Sequence, residues 1–157
     1  MTRLYGRCQK GKRLHATAPQ GHWKTTTMIS SIRSDANPSR MTIESPTDTD
    51  IFRAYVREIL CPTLNTGDIV IMDNLGAHKN PQTLSLIEQA GASVKFLPAY
   101  SPDLNPIEMM RSKVKNFSRR TQARTSPELL KAIGHALHLV RPEDATNWFT
   151  HCGYSFS

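Results

Sequence analysis

Two carboxylates carry the most specific chemistry that the sequence offers. Asp73 closes the apolar run DIVIMD that begins at Asp68, and Glu108 lies two residues after Pro106. Carboxylate oxygens are ligands that Mg²⁺ prefers, and a pair of such ions can activate the attacking oxygen and stabilise the leaving oxygen when a phosphodiester is cut. Two ions need about three carboxylates. Asp73 and Glu108 would supply two of them if the fold places their carboxylates close together, although 34 residues separate them in the sequence.

Basic residues follow Glu108 at helical spacing. The positions three, four, seven and eleven residues after it are Arg111, Ser112, Lys115 and Arg119. This spacing places them on the same face of a helix as the carboxylate. A phosphate backbone running beside that helix would meet a row of cations, which is what phosphate binding requires.

The net charge of the chain points to a polyanionic partner. Its 157 residues include 20 Lys and Arg against 13 Asp and Glu, which gives a formal charge of +7. Segments 1–24 and 113–124 contain no acid at all. Such a balance favours nucleic acid as the partner, although a moderately basic protein with two solvated surfaces would have the same composition.

The elements that must position these residues alternate between strands and helices. Strands are expected at 23–33 and 40–44, paired as a hairpin, and at 68–73 and 94–97. Helices are expected at 51–60, ended by Pro62, from Pro81 to a Gly91 cap, from Pro106 behind an Asn105 N-cap, and in two segments opened by Thr125 and Pro142. This order predicts an α/β fold with a mixed sheet in a single domain, 1–157. The continuous apolar run at 68–73 predicts a strand buried on both faces.

Composition also excludes several classes of protein. No run reaches the ~18 apolar residues of a membrane span, and the first residues lack the apolar segment of a secretory signal. Three scattered cysteines, Cys8, Cys61 and Cys152, form neither a disulfide framework nor a zinc motif. We therefore expect a protein of the reducing cytoplasm with no membrane partner.

Two motifs resemble the catalytic half of the insertion-sequence 630 transposases, which belong with the Tc1/mariner group of DDE transposases. They are DNLGAHK at 73–79 and LPAYSPDLNPIE at 97–108, and the 34 residues between Asp73 and Glu108 match the spacing of that group. The segment GHWKTTT at 21–27 is similar to the strand that follows the family's first catalytic loop. The resemblance covers about 3–154 of the chain.

The resemblance implies a ribonuclease-H-like fold and Mg²⁺- or Mn²⁺-dependent DNA cleavage and strand transfer. Asp73 and Glu108 correspond to the second and third catalytic carboxylates, which bind the metal. The residues expected to contact DNA are Asn74, His78, Lys79, Arg111, Lys113 and Lys115, although a structural hydrogen-bonded role explains His78 equally well. The implied partners are double-stranded DNA, as transposon ends and target, and a second copy of the chain in a homodimer. The implied location is the cytoplasm, at the bacterial nucleoid.

The sequence departs from the family pattern in three places. The family's leading Asp lies in a central strand upstream of the segment that matches 3–6, so that strand, its Asp and the helix-turn-helix region are expected to be absent. Arg111 stands where an aromatic residue is usual, and Ala99 replaces a usual proline. With one metal ligand missing, we expect little or no activity from the chain alone.

Other interpretations stay open. Asp35 follows the first strand and could supply the missing carboxylate of a different ribonuclease-H-like nuclease, although its DANP context is typical of a hairpin turn. A non-catalytic DNA-binding remnant would keep the basic groove without the chemistry. Trp23, Tyr100 and Trp148 could stack on bases, although packing in a core or loop explains each of them more simply.

Overall fold

The first two strands of the described residues form an antiparallel hairpin. The computed structural model describes residues 6–15, 26–34, 40–43 and 46–155. Strands β1 (Thr27–Ser30) and β2 (Arg40–Ile43) pair antiparallel, with Thr27 opposite Ile43. The predicted hairpin is confirmed in these residues. The segment 21–25, which carries most of the GHWKTTT motif, and Asp35 lie outside the described residues.

Helix α1 (Thr49–Tyr55) follows the hairpin. Asp48 caps it, because its carboxylate accepts a hydrogen bond from a first-turn amide at 2.8 Å. The helix continues into a π-helical turn, Val56–Leu60, and a 3₁₀ turn, Cys61–Thr63, which contains the proline predicted to end it. The helix predicted over 51–60 is therefore confirmed.

The second pair of strands is parallel. Strands β3 (Ile69–Met72) and β4 (Ser93–Phe96) lie side by side and are joined by a crossover that contains helix α2 (Pro81–Gln89). Parallel strands need such a crossover, because a tight turn cannot join them. Both strands and the helix agree with the prediction to within a residue or two.

Helix α2 begins and ends as the sequence predicts. Pro81 occupies its first position, and the Asn80 side chain caps it by accepting hydrogen bonds from two first-turn amides. Gly91 follows the helix with φ +81°, and a Cβ at this position would lie 2.9 Å from Oγ1 of Thr66. Glycine is therefore required here by both its backbone angle and the close approach of Thr66.

The burial of β3 differs from the prediction. Met72 is the only one of its four residues that is buried, and Ile69 is 53% exposed. The described strands form two two-stranded sheets, so β3 has β4 as its one partner among the described residues. The apolar composition of β3 predicts a central strand with neighbours on both sides. A strand with one neighbour has fewer surrounding side chains, so more of its surface is exposed. The joining of all four strands in one mixed sheet stays a prediction.

Three helices follow: α3 (Pro106–Thr121), α4 (Ser126–His138) and α5 (Pro142–His151). Helix α4 begins at the predicted capping box, in which the Thr125 hydroxyl accepts from the Glu128 amide and the Glu128 carboxylate accepts from the Thr125 amide. The amides of Arg124 and Thr125 together lower the pKa of Glu128, since they bind its ionised form.

The buried side chains form two separate cores. The helical core comprises Met110, Val114, Ile133, Ala136, Leu137, Val140 and Ala145, and the sheet core comprises Phe52, Tyr55, Val56, Leu60, Met72, Ile87 and Ala92. Strand β1 lies between them, since Met28 packs against the helical core and Ile29 against the sheet core. The α/β class is thus confirmed, and the arrangement is consistent with a ribonuclease-H-like domain.

Candidate active site

Asp73 lies directly after β3, at the carboxyl end of the parallel pair, where ligands bind in α/β folds. Its Oδ1 accepts a hydrogen bond from the Leu75 amide at 3.1 Å and lies 2.7 Å from Nδ1 of His78. The Leu75 contact is an Asx turn, which fixes the carboxylate against its own backbone. Among the described residues, Oδ2 has no such partner, and the side chain is 58% exposed, so this oxygen is available to an external ligand.

His78 is positioned from behind by helix α1. Its ring centroid lies 4.3 Å from that of Phe52, and its side chain is 19% exposed. The 3₁₀ turn Gly76–Lys79 returns the chain toward Asp73 and so delivers the imidazole to the carboxylate. This packing holds the imidazole in place, and a DNA contact by His78 stays a prediction.

The neighbours of these two residues also have intramolecular partners. The Asn74 side-chain amide donates a hydrogen bond to the Leu97 carbonyl, which joins the carboxyl ends of β3 and β4. The Lys79 ammonium lies 5.8 Å from the ring centroid of Phe96, within reach of a cation–π interaction. DNA contacts by Asn74 and Lys79 stay predictions.

Glu108 lies in the first turn of α3, where the helix dipole favours a carboxylate. Pro106 occupies the predicted first position, but the Asn105 side chain makes no capping hydrogen bond; its backbone carbonyl accepts from the Glu108 amide at 3.1 Å instead. The Glu108 carboxylate accepts a hydrogen bond from Nη1 of Arg111 at 2.7 Å. The residue that departs from the family pattern therefore neutralises the predicted metal ligand.

The loop between β4 and α3 is anchored from the far end of the chain. The Tyr154 hydroxyl donates a hydrogen bond to the Leu104 carbonyl at 2.8 Å. Burial, and then the charge of nearby Cys152, raise the pKa of Tyr154, so the hydroxyl keeps the proton that it donates. The 3₁₀ turn Pro102–Leu104 is thereby held against the residues that follow α5.

These elements surround an open cleft of about 180 Å³. Asp73 and Glu108 both line it, together with Asn74, Tyr100 and other residues of the loop. Sites that enclose a drug-sized ligand measure roughly 300–1,000 Å³. The cleft is therefore large enough for ions and a phosphate group but not for a whole nucleotide.

The basic face of α3 extends away from the cleft. Lys115 and Arg119 are exposed, and among the described residues neither has a hydrogen-bond or ion-pair partner. They share the helix face of Glu108, as their spacing predicts. Their charges are thus available to an anion that reaches the cleft along the helix.

Lys113 lies elsewhere on α3 and has a different environment. Its Nζ donates to the Leu139 carbonyl at 2.9 Å and to the Asp144 carboxylate at 2.5 Å, and it lies 5.9 Å from the ring centroid of Trp148. Burial raises the pKa of Asp144, but the hydrogen bonds from Lys113 and the Arg141 amide outweigh it and leave the pKa lowered. Lys113 therefore joins three helices, and a DNA contact by Lys113 stays a prediction.

Two of the three aromatic residues that could stack on bases are described by the structure, and their positions differ. Trp148 packs against the helical core, as expected. Tyr100 is fully exposed, so the expectation that it packs within a loop is wrong. Trp23 lies outside the described residues.

The two carboxylates at the cleft are the type of ligand that a divalent metal ion prefers. Asp73 and Glu108 offer the carboxylate oxygens that Mg²⁺ and Mn²⁺ take. Within the described ranges, no group of three or more His, Cys, Asp or Glu side chains could hold a metal ion. A third carboxylate would complete the set, and Asp35, the candidate within the sequence, lies outside those ranges.

Some functional contacts were missed by sequence reasoning. The ion pair of Glu108 with Arg111 has a local signal, since residues three apart on a helix are neighbours. The stacking of Phe52 on His78 and the anchoring of Leu104 by Tyr154 have none, because 25 or more residues separate the partners in each case.

Comparison with known families agrees with this arrangement. A family model described as DDE superfamily endonuclease matches residues 1–130, so the chain belongs to that family. Membership indicates a transposase-like nuclease with a DNA substrate, and enzymes of this family generally use divalent metals. No curated protein matches the chain. In the part of the chain that the structure describes, every helix is too short or too polar to cross a membrane.

Proposed function

We propose that the protein is the catalytic domain of a transposase of the insertion-sequence 630 type, which cleaves DNA and transfers strands with Mg²⁺ or Mn²⁺. Asp73 and Glu108 are the proposed catalytic carboxylates and metal ligands. The observation that supports this most is their position: both line one cleft, although 34 residues separate them. The proposed partner is double-stranded DNA, bound by a homodimer at the bacterial nucleoid.

The chain's own residues would divide the work between holding ligands and holding DNA. The Leu75 amide donates a hydrogen bond to one oxygen of Asp73 and Nδ1 of His78 lies 2.7 Å from the same oxygen, which would leave the other oxygen for the ion. Lys115 and Arg119 would bind the phosphate backbone along α3. When bound, divalent ions would activate the attacking oxygen and stabilise the leaving oxygen.

A third carboxylate is part of the proposal. It would come from Asp35 or from another polypeptide segment, because the described residues contain two carboxylates at the cleft and no three-ligand group. The domain 1–157 would then act as the portion that supplies the second and third ligands.

Nicking of supercoiled plasmid DNA tests this function directly. The wild-type chain would be assayed with Mg²⁺, with Mn²⁺ and with EDTA, beside Asp73→Asn, Glu108→Gln and Asp35→Asn. Glu88→Gln, an exposed carboxylate on α2, is the matched control. With one metal ligand missing, we expect little or no nicking by the chain alone, and any metal-dependent nicking should disappear in the Asp73 and Glu108 variants. Loss in Asp35→Asn as well would identify the third ligand, and metal-dependent nicking that survives Asp73→Asn would refute the assignment.

A second measurement is independent of activity. Fe²⁺ that replaces Mg²⁺ generates hydroxyl radicals with ascorbate and peroxide, and these cut the polypeptide near the ion. We expect cuts close to residues 73 and 108, and their loss in Asp73→Asn and Glu108→Gln. Cuts elsewhere, or cuts unchanged in both variants, would place the metal outside the cleft.

A non-catalytic DNA-binding role is the second candidate function. It is favoured by the ion pair between Arg111 and Glu108, which occupies one of the two carboxylates. Salt-sensitive DNA binding without metal-dependent nicking, and without iron-directed cuts, would support this role over the enzymatic one.

A further inference from the structure

Tyr100 combines two unusual properties at the rim of the cleft. Its side chain is fully exposed, and its backbone has φ +57°, in the left-handed region that residues other than glycine seldom adopt. An exposed aromatic ring adds nothing to the core, and strained backbone is concentrated at functional sites. Packing of the described residues explains neither property.

The loop that carries Tyr100 is held at both ends. The Leu97 amide donates to the Met72 carbonyl at 2.8 Å, and the Leu104 carbonyl accepts from the Tyr154 hydroxyl. Proline at positions 98 and 102 restricts the backbone between these anchors. The ring therefore stands on a fixed support, and a partner that stacks on it loses little affinity to ordering of the loop.

The position of the ring limits what that partner can be. Tyr100 lines the same cleft as Asp73 and Glu108, and the cleft is too small for a nucleotide. A phosphodiester held in the cleft through divalent ions on the carboxylates would leave its base outside, at the rim where Tyr100 lies. The exposed cations Lys115 and Arg119, farther along α3 from Glu108, favour a nucleic-acid strand over an apolar protein surface as the partner.

We propose that Tyr100 stacks on an unpaired base beside the phosphodiester that enters the cleft. The preferred substrate would then be DNA whose bases are unpaired at the point of cleavage. This proposal rests on the proposed function of the cleft. Aromatic rings stack on any base, but a base inside a duplex has no free face until it is unpaired.

Binding to two DNA probes tests the proposal. One probe is a fully paired duplex, and the other has the same sequence with a single bulged 2-aminopurine. Both would be titrated with Mn²⁺ and, separately, with EDTA, with anisotropy reporting affinity and 2-aminopurine fluorescence reporting stacking. We expect the wild-type chain to prefer the bulged probe about 5- to 150-fold, the range that one stacked base supports. Tyr100→Ala should lose this preference and the quenching, and Tyr100→Phe should keep both.

A glycine variant separates the ring from the backbone. Tyr100→Gly relieves the strained φ and also lacks the ring, so it should behave as Tyr100→Ala does. Thermal melting checks that all three variants fold, which the full exposure of the side chain leads us to expect. An unchanged preference in Tyr100→Ala, or equal losses in the Phe and Ala variants, would overturn stacking. A change confined to self-association, measured by light scattering, would also overturn it and make Tyr100 a protein contact.

The outcome is separable from the proposed function, because stacking is measured by binding and fluorescence rather than by nicking. A chain that gives no iron-directed cuts near residues 73 and 108 but shows a Tyr100-dependent bulge preference would support stacking and contradict the enzymatic function. A chain that nicks DNA and keeps its preference in Tyr100→Ala would overturn stacking alone.

Discussion

Arg111 and Glu108 form an ion pair one turn apart on α3, with Nη1 and Oε1 separated by 2.7 Å and each side chain a little under half exposed. The pair places a fixed positive charge on a carboxylate that is proposed to bind a divalent ion. Arg111 contacts Oε1, so a metal ion bound at Oε2 of the same carboxylate would lie close to the guanidinium and be repelled by it.

Replacement of Arg111 should therefore strengthen metal binding. An exposed ion pair contributes about 0.2–1 kcal/mol, so Arg111→Ala is expected to raise the affinity for Mn²⁺ by up to about fivefold. Isothermal titration calorimetry measures the affinity. Arg119→Ala removes a charge from the same face without touching Glu108 and should have a smaller effect. Weaker Mn²⁺ binding in Arg111→Ala would show that the guanidinium supports the site.

Substitution of two lysines that lie two positions apart on α3 should affect different properties, stability in one case and DNA binding in the other. Lys113→Met loses the contacts to Asp144 and the Leu139 carbonyl, and should lower the free energy of unfolding by about 1 kcal/mol. Lys115→Met should leave stability unchanged but reduce the slope of log K against log salt for DNA binding by about one. Urea unfolding and salt-dependent anisotropy measure the two effects, and a reduced salt slope in Lys113→Met alone would reverse the assignment.

The ion pair between Arg33 and Asp68 should make part of the stability depend on acid pH. Hydrogen bonds from the Arg33 guanidinium at 2.7 and 3.3 Å, and then one from the Asn65 amide, hold the pKa of Asp68 below its usual value. A depressed carboxylate pKa stabilises the folded state above the unfolded pKa of about 3.9, and the contribution disappears as the pH falls through the folded pKa.

Arg33→Met tests this linkage. The variant should be less stable than wild type by about 1 kcal/mol at pH 7, and the difference should shrink below about pH 4. Urea unfolding of both proteins between pH 2.5 and 7 measures it. A difference that is constant over this range would mean that packing of the Arg33 side chain, rather than charge, carries the effect.

Tyr55 should make the protein sensitive to alkaline pH. Burial raises the pKa of Tyr55 to about 12, against hydrogen bonds with Ser31 that lower it. A raised pKa stabilises the folded state below the unfolded value of about 10, and the contribution disappears as the pH rises toward 12. Over these two pKa units the loss reaches roughly 3 kcal/mol. Urea unfolding between pH 8 and 11.5 should show this decline in wild type, and Tyr55→Phe should lack it; parallel declines would exclude Tyr55 as the cause.

Local sequence signals were sufficient for most of the helices and strands. The Asn80-Pro81 start, the Gly91 end and the Thr125–Glu128 capping box depend on neighbours within a few residues, so they could be predicted. The burial of β3 could not, because an apolar run looks the same with one neighbouring strand or two. Lys113 and Lys115 carry the same charge. Only the packing of the helices decides that Lys113 pairs with Asp144 of α5 while Lys115 faces solvent.

The sequence by itself determined which residues could bind metal and phosphate, through residue type, the 34-residue spacing and the motifs that carry the family resemblance. The tertiary structure decided which of them meet: Asp73 and Glu108 line one cleft, Phe52 holds His78, and Tyr154 holds the loop that exposes Tyr100. The physical reason is range. Capping, turns and helical periodicity act over a few residues, whereas these contacts join side chains that only the packed layers bring together.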